Sequence, residues 1–208
     1  MSVIYTSSNY TYKWRRTGIL QIALFIFSSY CYADYQRGKE YYDLGQYKEA
    51  WHELYGLAKQ GNASAQIIIG HMYGAGDGVI RNLEKSVQWY KKAAQQGNAR
   101  GQALTGFMYH SGRGVQKNHK KAFHWYIKAS VNGDLYAQLE LGKYYNRGLG
   151  VNSNAFLSYV WFTVAEMSGE ICACLLDEKK LVEMKITKQD IEHAKELSKH
   201  IYYHFEHK

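Results

Sequence analysis

The residues of this chain whose types and spacing come nearest to a metal or reactive site lie close to its C-terminus. His200 and His204 stand four apart and His207 follows three later, so on a helix their imidazoles could close on one ion. A polar tail helix that happens to carry histidine explains them as well, and is the reading adopted. Cys172 and Cys174 are two apart, which on a helix points them to different sides and strains a mutual disulfide. Small residues at the entrance of a packed helix account for them more simply than a metal does. Neither Ser168 nor Ser198 has the lysine of a Ser-x-x-Lys nucleophile three residues on. The glycine pairs 76/78, 112/114 and 148/150 have no Lys-Ser/Thr after them, so they are corners of the chain and not phosphate loops. No catalytic, cofactor-binding or metal-binding residue is expected, and the chemistry to look for is recognition.

The elements that would position recognition residues are written three times. Gly61, Gly97, Gly133 and Gly169 recur every 36 residues, as do Gly70, Gly106 and Gly142, Tyr73, Tyr109 and Tyr145, and Trp89, Trp125 and Trp161. A period of that length marks a solenoid, in which each unit buries its apolar face against its neighbours. In the second half of the unit, Ser86, Trp89, Tyr90, Ala93 and Ala94 fall on one face of a helix, and Ala122, Trp125, Tyr126, Ala129 and Ser130 repeat them. In the first half Ala65, Ile69, Met72 and Tyr73 face inward, and Gly70 permits close approach of the two helices. Asn82, Asn118 and Asn154 are candidate N-caps, while Gly61-Asn62, Gly97-Asn98 and Gly133-Asp134 combine a left-handed stop with the next cap. The chain contains no proline, as suits a mostly helical fold.

Residues 34–62 read as a shortened opening helix pair, followed by full units at 63–98, 99–134 and 135–170. Residues 171–208 read as a partial unit and a closing helix. Thr187 to Asp190 open that helix as a capping box with Asp in place of Glu, and Ile191, Ala194, Leu197, Ile201 and Phe205 form its apolar stripe.

Residues 1–33 stand apart from the repeats. Lys13, Arg15 and Arg16 precede an apolar run from Gly18 to Phe27, and Cys31-Tyr32-Ala33 ends the segment with small residues at its first and last positions. Basic flank, short apolar core and small residues are the build of a secretory signal peptide. The core is shorter than the roughly 20 residues a span needs, so cleavage after Ala33 and export to the periplasm or medium are expected, with an uncleaved anchor as the alternative. The formal charge of +8 becomes +5 once those three cations are set aside. The rest are spread through Lys91-Lys92, Lys120-Lys121 and Lys179-Lys180 with no aromatic-interleaved stripe, which reads as a solvated face and not a nucleic-acid surface.

The segment Ala63-x-Ala65-Gln66-x-x-Ile69-Gly70-x-Met72-Tyr73, then Gly76-x-Gly78-Val79, then Lys85-Ser86-x-x-Trp89-Tyr90-x-x-Ala93-Ala94-x-x-Gly97, resembles the SEL-one-like repeat (SLR) of the tetratricopeptide (TPR) superfamily. The resemblance implies an all-α, right-handed α/α superhelical solenoid whose first helices line the concave side. It also implies a non-enzymatic adaptor that binds other proteins, with secreted bacterial members linked to envelope signalling or host contact. Cysteine-rich relatives assigned penicillin-binding or β-lactamase activity carry a cysteine pair in every repeat, whereas this chain has three cysteines in all.

Four positions of the first helix vary between units while the scaffold holds: Ser64, Arg100 and Tyr136; Ile67, Ala103 and Leu139; Ile68, Leu104 and Glu140; His71, Phe107 and Lys143. The partner-binding patch expected on the concave side is Arg100, Leu104, Phe107, Tyr136, Glu140 and Lys143, a mixture of aromatic and charged groups that suits a peptide or helix. The expected function is an exported, monomeric interaction module with a protein or peptide partner. The alternatives are a cell-wall protein that binds or hydrolyses peptidoglycan and an envelope regulator of a membrane sensor.

Overall fold

The computed structural model describes residues 34–169 and 173–206, apart from the side chains of 173–175, 205 and 206. The expected signal segment 1–33 with Cys31, Cys172, His207 and the side chains of Cys174 and Phe205 lie outside the described residues. Among the described residues there are ten helices and no strand: α1 (34–43), α2 (Tyr47–Lys59), α3 (Ala63–Ala75), α4 (Leu83–Gln95), α5 (Ala99–Ser111), α6 (His119–Val131), α7 (Leu135–Arg147), α8 (Ala155–Ser168), α9 (Ala173–Glu183) and α10 (Lys188–Glu206). The pairs α3/α4, α5/α6 and α7/α8 are antiparallel hairpins, and each second helix packs on the first helix of the next pair. This is a helical repeat solenoid.

Each boundary has a local cause. Asn62, Asn98 and Asp134 accept the N–H of Ala65, Gly101 and Ala137 at 2.9 Å, capping the first helices. Asn82, Asn118 and Asn154 do the same for Lys85, Lys121 and Leu157, each cap contributing about 1 kcal/mol. Gly76, Gly112 and Gly148 end the first helices with φ of 92°, 74° and 69°, a left-handed turn that a side chain resists.

Within every hairpin the helices meet at a glycine. A Cβ on Gly70 would lie 2.5 Å from the Tyr90 ring and one on Gly106 2.7 Å from the Tyr126 ring; on Gly142 it would collide with Phe162. The opening pair uses the same device with Gly38 under Leu54, 16 residues apart where the later pairs are 20 apart, because its turn is four residues shorter. Buried glutamines link successive pairs. Gln66 donates to the carbonyl of Ala58 at 3.0 Å and accepts from Gln96 at 2.8 Å, while Gln102 bonds Ala94 and Asn132 in the same way.

The end of the array departs from the repeat. Position 178, where a fourth glycine would fall, is Glu178, and position 198, where the aromatic ring would fall, is Ser198. Without that lock α10 packs along α8, where Ile191, Leu197 and Ile201 join the cluster of Val160 and Phe162. The Ser198 hydroxyl donates to the Val160 carbonyl at 3.1 Å. The expected capping box forms, with Asp190 N–H bonded to Thr187 Oγ1 at 3.1 Å and Thr187 N–H to Asp190 Oδ2 at 3.2 Å.

Two glycine substitutions separate contact from propensity. Gly106→Ala should destabilise the fold by about 1–3 kcal/mol through overpacking against Tyr126, lowering Tm by about 2–4 °C per kcal/mol. Gly56→Ala, at an exposed helical site with nothing within 4 Å, should instead stabilise by about 0.5–1 kcal/mol. Thermal unfolding of the two variants checks both signs.

Candidate functional site

The first helices of neighbouring units touch one another, α3 with α5 and α5 with α7, and together make the inner face of the stack. Residues on that inner face are the ones a partner segment can reach without disturbing the hairpins.

The six residues expected to form the patch divide between α5 and α7. Arg100 is exposed, its guanidinium 3.9 Å from the Asp134 carboxylate. Leu104 and Phe107 are half-buried, and the Phe107 ring meets that of Tyr136 edge-on at 6.5 Å, so the two helices share one aromatic contact. Tyr136 in turn lies edge-on to Tyr126 at 6.1 Å, and burial, aided by Glu140, pushes its phenol up to about 12. Glu140 is only 7% exposed and is paired with Lys143 at 2.8 Å, so its charge is already compensated within α7. Not every variable position is open, since Ala103 is fully buried and Ile68 nearly so.

The structure extends this face toward the N-terminus, from the variable positions His71, Leu104 and Phe107 to residues that the variable columns do not include. A cleft of about 300 Å³ opens between α3, α4 and α5, with Tyr42, His71, Tyr90, Leu104, Phe107 and Arg113 among its walls and Gly74 and Ser86 among the other residues that line it. A second hollow, of about 350 Å³, shares Tyr42 and His71 with it and reaches Arg100. The two adjoin at Tyr42 and His71, along α1, α3 and α5. Tyr90 Oη and His71 Nδ1 lie 3.1 Å apart, and Tyr42 donates to Asp77 at 3.2 Å. The Ser86 hydroxyl is fully buried and lies beside the Tyr90 phenol. Gly74 was legible in the sequence: its column reads Gly74, His110, Asn146, which removes a side chain from the first unit only.

The corresponding place one unit further on is filled. His110 and His119 converge on the Tyr144 hydroxyl, at 2.8 and 3.3 Å from their Nδ1 atoms, and the fully buried Tyr144 ring stacks on Phe123. At the C-terminus, His200 and His204 are exposed, and among the described residues no three metal-binding side chains gather at one point. Among the same residues no helix is long and apolar enough to cross a membrane.

Residues 63–98, 99–134 and 135–169 each match the family described as Sel1 repeat. A Sel1 repeat protein from Oxalobacter formigenes has a solved structure similar to this one, with a TM-score of 0.63 and 34% identity over 65% of this chain and 56% of that chain. The antigen c5321, described as protective, present in uropathogenic Escherichia coli strains and displaying an SLR fold, gives a TM-score of 0.51 over 84% of this chain and 46% of that chain. Its 24% identity makes that a likeness of fold alone. This chain therefore spans roughly half the length of either structure. Among curated proteins none matches.

The groove should sense pH through His71. Burial first, and then the Arg100 guanidinium, holds its imidazole below the ordinary value of 6.5. A group whose folded value is depressed stabilises the fold above its unfolded value, and that contribution is lost as pH falls through the folded value. Between about pH 7.5 and about pH 5, Tm of the native chain should fall more steeply than that of His71→Gln; parallel curves contradict the assignment.

Proposed function

The chain belongs to the Sel1 repeat family, whose members are generally protein-interaction scaffolds, and on that premise we propose that it binds a protein partner's segment in the groove of α1, α3, α5 and α7 and performs no chemistry of its own. The observation that carries this reading is the contrast between the two sides of the inner helices. The packed side repeats unit after unit, whereas the groove side changes from His71 to Phe107 to Lys143 and from Ser64 to Arg100 to Tyr136. A surface that breaks the rule of its own scaffold, and is hollowed out where it does so, is suited to one partner and not to generic packing. The stacked hairpins hold the groove preformed, so docking a flexible segment orders little of the receptor.

We place the protein outside the cytoplasm, with residues 1–33 acting as a signal peptide, on the sequence pattern described above. The same reading takes 34–62 as an opening cap, 63–98, 99–134 and 135–170 as the repeats, and 171–208 as the closing cap.

Affinity capture with the native chain from envelope and host-cell extracts, beside a Phe107→Ala/Tyr136→Ala variant of verified helicity, tests the proposal. A protein retained by the first and lost by the second supports the groove, with an expected loss of at least about tenfold for two such anchors. Retention of peptidoglycan fragments in place of protein overturns it in favour of a cell-wall role.

A further inference from the structure

The chain carries its own picture of what its open cleft accepts. The cleft between the first and second full units and its counterpart between the second and third are built from the same columns, yet one is open and the other plugged. Where the second site has His110, His119 and Tyr144, the first has Gly74, Leu83 and Met108. In the plugged site a polar-edged ring fills the space, with His110 Nδ1 2.8 Å from the Tyr144 hydroxyl. In the open site the ring is missing, and Ser86 brings a hydroxyl where the plugged site has Ala122. A side chain grown from Gly74 would rise toward the hydroxyls of Ser86 and Tyr90, its Cβ 3.1 Å from the first and 3.9 Å from the second. The Ser86 hydroxyl is buried beside the Tyr90 phenol, so a polar edge entering the cleft meets a pair of hydroxyls and not bare hydrocarbon.

The rim adds a sign. Arg113 is exposed at the cleft with no ion pair among the described residues, and Arg100 borders the adjoining hollow with only Asp134, at 3.9 Å, for a partner. Resting on the reading that this groove is the interaction surface, we propose that the cleft above Gly74 is the pocket for one aromatic side chain with a hydrogen-bonding edge, carried on an acidic peptide segment. The ring takes the place that His110 fills one unit later, between Phe107 and Leu104. Its polar edge meets the Ser86 and Tyr90 hydroxyls, and flanking carboxylates meet Arg113 and Arg100.

The probe is a short peptide with one tyrosine between glutamates, titrated into the full-length chain while the His71 ring resonances are followed by NMR. We expect a saturable shift. The same peptide with alanine for tyrosine, or lysine for glutamate, should bind at least about tenfold more weakly. A plugged variant, Gly74→His/Leu83→His/Ser86→Ala/Met108→Tyr, copies residues the chain already uses in its next unit, clears the 3.1 Å approach of the Ser86 hydroxyl to position 74, and should abolish the shift. Arg113→Gln, a change at an exposed position, should weaken the glutamate peptide several-fold at unchanged Tm, and does so independently of whether the plugged variant folds. No saturable shift in the native chain, or equal affinity for the alanine peptide, overturns the proposal. So does full binding by a folded plugged variant. A protein captured equally by native and plugged chains, yet lost by Phe107→Ala/Tyr136→Ala, also overturns the pocket while leaving the groove reading in place.

Discussion

The close contact of a glycine with an aromatic ring inside each hairpin is the constraint on which the rest of the structure depends. Gly70 lies under Tyr90, Gly106 under Tyr126 and Gly142 under Phe162. With no Cβ in the way, the first helix comes near enough to the second for the ring to be sealed: Tyr126 and Phe162 are fully buried. That contact fixes the separation and rotation of the two helices, which in turn decides which side of the first helix faces the groove. Where the contact is lost, at Glu178 and Ser198, the hairpin is lost with it and the last helix folds back on α8. The end of the solenoid is therefore set by the absence of a lock more than by any added feature.

A scaffold held this way leaves a few side chains per unit free of packing duty, and the groove is made from them. Stacking places Phe107 of α5 beside Tyr136 of α7 and draws Tyr42 and His71 to the same wall. The open cleft follows from Gly74, Leu83 and Met108 standing where the next unit has His110, His119 and Tyr144, and its polar lining includes the Ser86 hydroxyl from the packing face of α4. Recognition here is a local departure from a rule that the rest of the chain obeys.

Much of this was legible in the sequence because the scaffold is periodic. The columns of glycine, tyrosine and tryptophan, the asparagine caps and the capping box at Thr187 are local signals, and each appears in the structure where spacing puts it. The direction of α10 was not legible, because it depends on what α9 cannot offer at Glu178 rather than on the apolar stripe of α10 itself. Nor was the burial of Glu140, since its pairing with Lys143 and its contact with the α7 surroundings are tertiary facts. The cleft lay in between: the change from Gly74 to His110 stands in the sequence, but that Tyr144 and His119 complete the plug is visible only once helices from two units are brought together.

The measurement that bears most directly on the account is backbone amide hydrogen exchange of the full chain alone and with a bound partner segment. The account predicts added protection along α1, α3, α5 and α7 and at the cleft-lining start of α4, and little change along α6. Protection gathered on α4 and α6, with the inner helices unaltered, would place recognition on the outer face and contradict it.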